Sequence, residues 1–255
     1  MENKNETIIN KNNEKEEEFK KEEINNEAEP KNEINSENKD FEVKIINVPE
    51  NYEPKNALTF KIIIIGNSGV GKTSITTSAV KNVFIKDYKS TIGMEIFSLY
   101  LKVNDKPIKL QIWDTCGQEI YRSLIKNFYR NSSLAIIVYS IDQKNSFKDI
   151  NLWIKELKVN SSPDIKIVLI GNKSDLDKDR QVSYEEGKKY LDDDEVLKFF
   201  ETSAKTGENI KKLFQEISII LYKEYKYFNR GNLTRSSGSF KAKKADLSKK
   251  ESKCC

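Results

Sequence analysis

A glycine-rich loop directly after an apolar strand constrains this 255-residue chain more than any other feature. Residues 66–73 read GNSGVGKT, which matches the pattern G-x-x-x-x-G-K-[ST], and the apolar run 60–65 precedes them. Between a strand and a helix, such a loop directs successive backbone N–H groups towards one anion, and the positive end of the helix strengthens the field. The alternative is a glycine-rich turn with a solvated lysine, which the preceding strand disfavours. The pattern therefore predicts a site for the phosphates of a nucleoside triphosphate.

Two residues of the loop have side chains that suit particular tasks. Lys72 is expected to reach the terminal phosphates, and Thr73 is expected to place its hydroxyl on Mg²⁺. The full set expected to surround the nucleotide phosphates is Gly66, Ser68, Gly69, Val70, Gly71, Lys72, Thr73 and Ser74.

Composition excludes several other classes of site. The chain has no histidine and three cysteines, which leaves no plausible zinc site and no imidazole base. An odd number of cysteines, two of them adjacent, favours a reducing, cytosolic compartment over a disulfide framework. There is no run of eighteen apolar residues, and the polar, acidic N-terminus does not resemble a signal peptide. The chemistry is therefore expected to depend on positioning, lysine and metal.

Charge divides the chain into three parts. Residues 1–55 are rich in Asn, Glu and Lys, and nine Lys against fifteen Glu and one Asp give a net charge of −7. We expect this acidic arm to be disordered because it cannot bury enough apolar surface, with a regulatory or partner-binding arm as the alternative. Residues 229–255 form a basic tail with eight Lys/Arg against two acids, or +6. The apolar periodicity predicts one domain over residues 56–228.

Strand-like and helical patterns alternate within that domain. The strand-like runs are 60–65, 95–103, 108–113, 134–141, 165–170 and 197–201, and the helical patterns cover 72–82, 146–157, 184–191 and 210–225. Residues 104–107, NDKP, predict a turn between two antiparallel strands. The fold class is therefore α/β, with a six-stranded, mostly parallel sheet, one antiparallel edge strand and helices on both faces.

A second motif, WDTCGQE over residues 113–119, follows a strand beside the predicted phosphate loop. Asp114 is placed to hold Mg²⁺, directly or through water, and the backbone N–H of Gly117 is placed to meet a γ-phosphate. Gln118 can orient an attacking water, because its amide donates and accepts without carrying charge. The pattern D-x-x-G is weak alone, but it is strong after a strand and a phosphate loop.

A third motif, NKSD over residues 172–175, indicates which base is bound. The carboxylate of Asp175 can accept hydrogen bonds from N1–H and the 2-amino group of guanine, and adenine offers no such pair of donors. An exposed polar loop is the alternative. The residues expected to line the base pocket are Asn172, Lys173, Asp175, Ser203, Ala204 and Lys205, the last three from ETSAK at 201–205.

Thr91 lies in a polar loop between the first helix and the hairpin. Its hydroxyl is expected to join the Mg²⁺ ligands Thr73 and Asp114 only when a γ-phosphate is present. The loop would then change order with the state of the nucleotide, which is the behaviour of a switch.

Residues 59–228 resemble the Ras-like small GTPases and, within them, the Rab family. The phosphate loop, WDTCGQE, NKSD and ETSAK stand in the order and spacing of that family. The resemblance to Rab proteins rests on KLQIW at 109–113, YRSL at 121–124, FYR at 128–130, IVYSID at 137–142 and the final pair of cysteines. It implies a P-loop NTPase fold of the Ras type, with Phe84 near the guanine and Tyr88 closing over the phosphates.

Three positions depart from the family pattern. Cys116 stands where Rab proteins usually have alanine, and it is interpreted as a small residue filling the same space, with an oxidisable thiol as the alternative. Ile96 replaces the usual phenylalanine of a triad with Trp113 and Phe128 that faces effectors, and Ile120 replaces an arginine. The identity of any effector therefore does not transfer from the family.

Cys254 and Cys255 resemble the double-cysteine ending that Rab proteins use for two geranylgeranyl chains. Two chains give stable anchoring where one does not, and a basic tail adds attraction to an anionic leaflet. A pair of unmodified surface thiols is the alternative.

The resemblance implies a monomeric switch that binds GTP or GDP with Mg²⁺ and hydrolyses GTP, with Gln118 and Lys72 as the catalytic residues. It implies vesicle traffic on the cytosolic face of an intracellular membrane, with a cytosolic pool. Its expected partners are an exchange factor, an activating protein, a prenylation escort and effectors, and not nucleic acid. The rival hypotheses are a GTP-binding scaffold that seldom hydrolyses its ligand and a P-loop kinase or other ATP enzyme.

Overall fold

The structure is a computed structural model. It describes residues 41–46, 53–86, 91, 93–116, 126–192 and 195–236, with side chains up to residue 229.

In these described segments, seven strands form one sheet. They are β1 (Val43–Ile46), β2 (Leu58–Ile65), β3 (Met94–Val103), β4 (Lys106–Thr115), β5 (Leu134–Ser140), β6 (Lys166–Asn172) and β7 (Lys198–Thr202). Their spatial order is β1-β3-β4-β2-β5-β6-β7. The pairs from β4 through β2 to β7 are parallel, whereas β3 runs antiparallel to both β4 and β1. The mostly parallel α/β sheet predicted from the sequence is confirmed.

Among the described residues there are five α-helices, four of them between strands and the last one after β7. They are α1 (Lys72–Lys81), α2 (Lys144–Lys148), α3 (Ile150–Asn160), α4 (Tyr184–Lys188) and α5 (Ile210–Ser236). The helix predicted over 146–157 is divided at Asp149, which ends α2 and precedes α3. The predicted hairpin is also present, with Asn104 in the left-handed region at φ 51°. In the described part of the chain, no helix is long and apolar enough to cross a membrane.

The prediction of six strands is wrong, because β1 adds a seventh at the edge of the sheet. Val43 pairs with Val103 and Ile46 with Tyr100, so β3 is no longer the edge strand. These residues belong to the arm expected to be disordered, and that expectation is wrong for residues 43–46. Residues 1–40 lie outside the described part.

Alternating apolar residues explain why β1 pairs with the sheet. Phe41, Val43 and Ile45 pack against the core, whereas Glu42 and Lys44 are exposed. The Phe41 ring meets Tyr222 of α5 edge-on, with the ring centroids 6.2 Å apart. This period of two is the pattern of a half-buried strand, so the surrounding polar composition concealed a real strand signal.

The parallel strands pack against helices on both faces. On β2, Ile62 and Ile64 join one core with α1 and α5, whereas Ile63 and Ile65 join a second core with α3. Strands buried on both faces are apolar throughout, which is the pattern of 62–65 and of β5. Because β2, β4, β6 and β7 run parallel, their carboxyl ends lie at one edge of the sheet, where the phosphate loop, WDTCGQE, NKSD and ETSAK are placed.

The last helix continues beyond the end expected from its apolar periodicity. The helix predicted over 210–225 extends to Ser236, so residues 229–236 of the basic tail are helical. The rest of the tail, residues 237–255, lies outside the described part.

Candidate functional site

Glycines shape the loop between β2 and α1. Gly66 and Gly71 have φ values of 143° and 95°, which other residues rarely adopt. A Cβ at Gly66 would collide with the carbonyl oxygen of Val138, and a Cβ at Gly71 would collide with the side-chain nitrogen of Asn172. The loop therefore has both a backbone shape and a close approach that require glycine, as the sequence pattern predicts.

Lys72 begins α1 directly after this loop, and its side chain folds back along the loop. The ammonium Nζ donates to the carbonyl oxygens of Gly66 and Asn67, both at 2.9 Å. Burial lowers the pKa of Lys72 to about 8, against the attraction of the Asp114 carboxylate, which raises it. A buried ammonium held by two carbonyls is poised to neutralise phosphate oxygens.

Three predicted magnesium ligands come together at the end of β4. The Thr73 hydroxyl lies 2.8 Å from the Thr91 hydroxyl and also hydrogen-bonds Asp114 Oδ2. Asp114 is completely buried, and burial raises its pKa to about 6. Its second oxygen, Oδ1, has no partner within the described part of the chain.

An unpaired buried carboxylate oxygen is costly, and a divalent cation would satisfy it. One carboxylate with two hydroxyls is a hard-oxygen set of the kind that Mg²⁺ binds while it keeps waters and phosphate oxygens as further ligands. The residues present therefore fit magnesium.

The base-recognition residues lie on the loops after β6 and β7. Asp175 Oδ1 accepts from the hydroxyl of Ser203 at 2.6 Å, and its Oδ2 lies 3.5 Å from Nζ of Lys205. Ser203 is fully buried, and its hydroxyl also accepts from the backbone N–H of Thr206 at 3.1 Å. These contacts hold the carboxylate in one orientation, as a site that reads a pair of donors requires.

Asn172 connects the base end to the phosphate end. Its Nδ2 donates to the carbonyl of Val70 at 2.9 Å, and its Oδ1 accepts from Thr202 at 3.2 Å and from the N–H of Ala204 at 3.3 Å. The residue is 1% exposed. It therefore joins the phosphate loop to both loops that are predicted to bind the base.

Several other predicted site residues are placed nearby or fall outside the described part. Lys173 has φ 67°, and its Nζ lies 3.6 Å from Asp142. Phe84 follows α1 and is 39% exposed. Tyr88, Gly117, Gln118, Cys254 and Cys255 lie outside the described residues, so their roles remain predictions.

Cys116 ends the strand region that carries Asp114. It is 1% exposed and packs in the core that contains Tyr129 and Ala135, and its backbone N–H donates to the carbonyl of Gly93 at 3.0 Å. This burial supports the interpretation of a small residue filling space, because an oxidisable thiol needs access.

Sequence reasoning missed a contact between the phosphate loop and the start of α3. The side chain of Asn67 hydrogen-bonds both Asp149 and Trp153 at the start of α3. The spacing of Asp149 and Trp153, four residues apart, places them on one helix face, but nothing in the pattern indicates that this face meets the phosphate loop.

A comparison with protein-family models agrees with this geometry. Residues 61–223 match the model described as the Ras family. The matched span includes the phosphate loop, the cluster around Asp114 and both base-binding loops.

Proposed function

Because the chain belongs to the Ras family of small GTPases, we propose that it is a Rab-type switch. In this proposal it hydrolyses GTP to GDP and regulates vesicle traffic from the cytosolic face of an intracellular membrane. The switch proposal rests on one cluster, in which Thr73 contacts both Thr91 and Asp114. The cluster brings Thr91, from the loop before β3, to the predicted phosphate site. A ligand set that includes this loop links its position to the state of the nucleotide.

The residues have separate tasks in hydrolysis. Lys72, fixed by the carbonyls of Gly66 and Asn67, places positive charge at the terminal phosphates. Asp114, Thr73 and Thr91 would hold Mg²⁺, which supplies further neutralisation of phosphate charge when bound. Asp175 holds the guanine, so the phosphates lie in one register along the loop.

The resemblance assigns Gln118 to positioning the attacking water. Replacing Gln118 with Leu keeps the bulk of the side chain but removes the amide, so hydrolysis should slow while GTP binding persists. Single-turnover phosphate release, with and without an activating protein, measures the effect. Unchanged hydrolysis in both conditions would contradict this role, and negligible hydrolysis by the unaltered protein in both would favour a GTP-binding scaffold.

A cluster of apolar side chains on β3, on β4 and at Phe128 is the proposed effector surface, and it departs from the Rab pattern at Ile96. Ile96 on β3 is 48% exposed and pairs in register with Trp113 on β4. The Trp113 and Phe128 rings lie 5.8 Å apart, and the Lys61 ammonium lies 3.9 Å from the Trp113 ring centroid. These three apolar residues form a surface suited to an effector that distinguishes the two nucleotide states.

Membrane attachment is proposed through geranylgeranyl groups on Cys254 and Cys255. The test compares the location of the tagged full chain with that of a Cys254→Ser/Cys255→Ser variant. We expect the unaltered protein on one intracellular membrane and the variant in the cytosol. A variant that keeps the same membrane location would contradict the lipid anchor, without affecting the proposal of GTP hydrolysis.

A further inference from the structure

Asn67 follows the first glycine of the phosphate loop, and its side chain is held by α3. Its Nδ2 donates to Asp149 Oδ2 at 2.6 Å, and its Oδ1 accepts from the indole Nε1 of Trp153 at 2.8 Å. An amide nitrogen can only donate here and a carboxylate can only accept, so one orientation of the amide satisfies both contacts. The side chain of Asn67 is therefore fixed at both of its polar atoms.

The two groups on α3 are well placed for this task. Asp149 occupies the N-cap position of α3, where an aspartate commonly caps its own helix, but its side chain makes no capping hydrogen bond. Trp153 lies one turn further along, and it is 2% exposed and packed in the core on that face of the sheet. A buried indole on a helix is a rigid support for a hydrogen bond.

The backbone of Asn67 contacts Lys72, which is the residue predicted to reach the terminal phosphates. Its carbonyl oxygen accepts from Lys72 Nζ at 2.9 Å, beside the carbonyl of Gly66. Lys72 is 5% exposed, so its ammonium depends on these carbonyls for hydrogen bonds. A shift of Asn67 would move one of the two oxygens that position the ammonium.

We propose that Asn67, Asp149 and Trp153 form a brace through which α3 positions the Lys72 ammonium, and thereby sets nucleotide retention and the rate of phosphoryl transfer. The inference rests on the proposed function, because it concerns the same phosphate site. All three are positioning residues, since they act through Lys72. Small displacements of a group that stabilises transferring phosphate cost large factors in rate.

The brace is tested in the full chain by exchanging the aspartate and the asparagine at positions 67 and 149, first singly and then together. Asn67→Asp places two carboxylates at a hydrogen-bonding distance, so the contact becomes repulsive and the loop must move. We expect fluorescently labelled GDP to leave about 10- to 100-fold faster and single-turnover hydrolysis to slow. The loss of one hydrogen bond to a charged group corresponds to a factor of about this size. Adding Asp149→Asn restores one donor and one acceptor in reversed order, and the double variant should return to within about threefold of the original rates.

Further variants separate positioning from general stability. Trp153→Phe removes the donor but keeps an aromatic ring, and GDP release should rise about threefold to tenfold. Asn151→Asp makes the same substitution on an exposed residue of α3 and should leave both rates within about twofold. Circular dichroism at the assay temperature establishes that each variant is folded.

Each outcome decides the inference. Slower hydrolysis and faster release in Asn67→Asp, with recovery in the double variant, support the brace. Unchanged rates in folded Asn67→Asp, or no recovery in a folded double variant, overturn it. If Asn67→Asp does not fold, Trp153→Phe decides, and unchanged release in that variant overturns the brace. Failure of the unaltered protein to bind GDP would instead contradict the proposed function.

Discussion

The base end and the phosphate end of the site differ in how completely their side chains are paired. At the base end, Asp175 has partners on both oxygens, in Ser203 and Lys205. At the phosphate end, Asp114 is fully buried but has one oxygen without a partner among the described residues. The base end is therefore arranged by the protein alone, whereas the phosphate end needs a cation to satisfy its buried carboxylate.

This difference suggests separate tasks for the two ends, with base specificity at one and dependence on the bound ligand at the other. In the proposed function Asp175 reads guanine, and a carboxylate that is already oriented would lose little conformational freedom on meeting the base. A carboxylate that needs a metal makes the phosphate end depend on what is bound there, and Thr91 brings a neighbouring loop into that dependence. The following predictions test how far the two ends differ.

The largest effect is expected at the base end. Asp175→Asn replaces an acceptor that meets two guanine donors with an amide, so GTP affinity should fall about 10³-fold while ATP affinity stays low. Displacement of labelled GDP by GTP and by ATP measures both affinities. Asp177→Asn, two residues on, is the control because the Asp177 side chain is 77% exposed and bonds Arg180. Retained GTP affinity in Asp175→Asn would contradict the assignment.

The second-largest effect is expected from removing the Asn172 side chain, which connects the two ends of the site. Asn172→Ala leaves the Val70 carbonyl and the Ala204 N–H without their partner inside the protein, which should lower the free energy of unfolding by about 2 kcal/mol. Denaturant unfolding measures this, and GDP release should accelerate in parallel. Asn160→Ala, which removes a hydrogen bond to the Glu156 carbonyl one helical turn away, should cost less. Equal effects in the two variants would mean that Asn172 does not join the ends.

The phosphate end should respond to acid through Asp114. Burial raises its pKa to about 6, so the folded protein holds this proton more tightly than the unfolded chain does. Without metal, the free energy of unfolding should therefore increase as the pH falls from about 6 towards about 4. Mg²⁺ needs the charged form, so its affinity should fall about tenfold per pH unit below 6. The dependence of GDP release on magnesium, measured between pH 5 and 8, tests this. Constant magnesium affinity across that range would contradict the prediction, and Asp114→Asn should bind magnesium weakly at every pH.

The smallest effect is expected from Lys205. Its side chain is 60% exposed, and its ion pair with Asp175 is 3.5 Å long, so solvent screens the attraction. Lys205→Met keeps the apolar stem and removes the charge, and GDP affinity should fall about threefold at low salt and less at high salt. A much larger loss, independent of salt, would mean that the ammonium itself holds Asp175 in place.

Much of the site followed from local sequence because its chemistry depends on short spacings. The order of the three motifs after β2, β4 and β6 implies that they meet at one edge of a parallel sheet, and Thr73, Thr91 and Asp114 do meet there. The seventh strand was missed because the composition of residues 1–55 outweighed the alternation from Phe41 to Ile45. The extension of α5 to Ser236 was missed because its apolar stripe weakens before the helix ends.

By itself, the sequence determined that the phosphate loop, Asp114 and Asp175 belong to one α/β domain, and it predicts magnesium and guanine as their ligands, because each motif is contiguous and follows its own strand. Only the tertiary structure decided what supports them. Asn172 reaches across 102 positions to Val70, and Asn67 reaches across 82 positions to Asp149. Such contacts depend on which strands, helices and loops become neighbours in the folded chain. No local pattern identifies the partner of a hydrogen bond between residues so far apart in sequence.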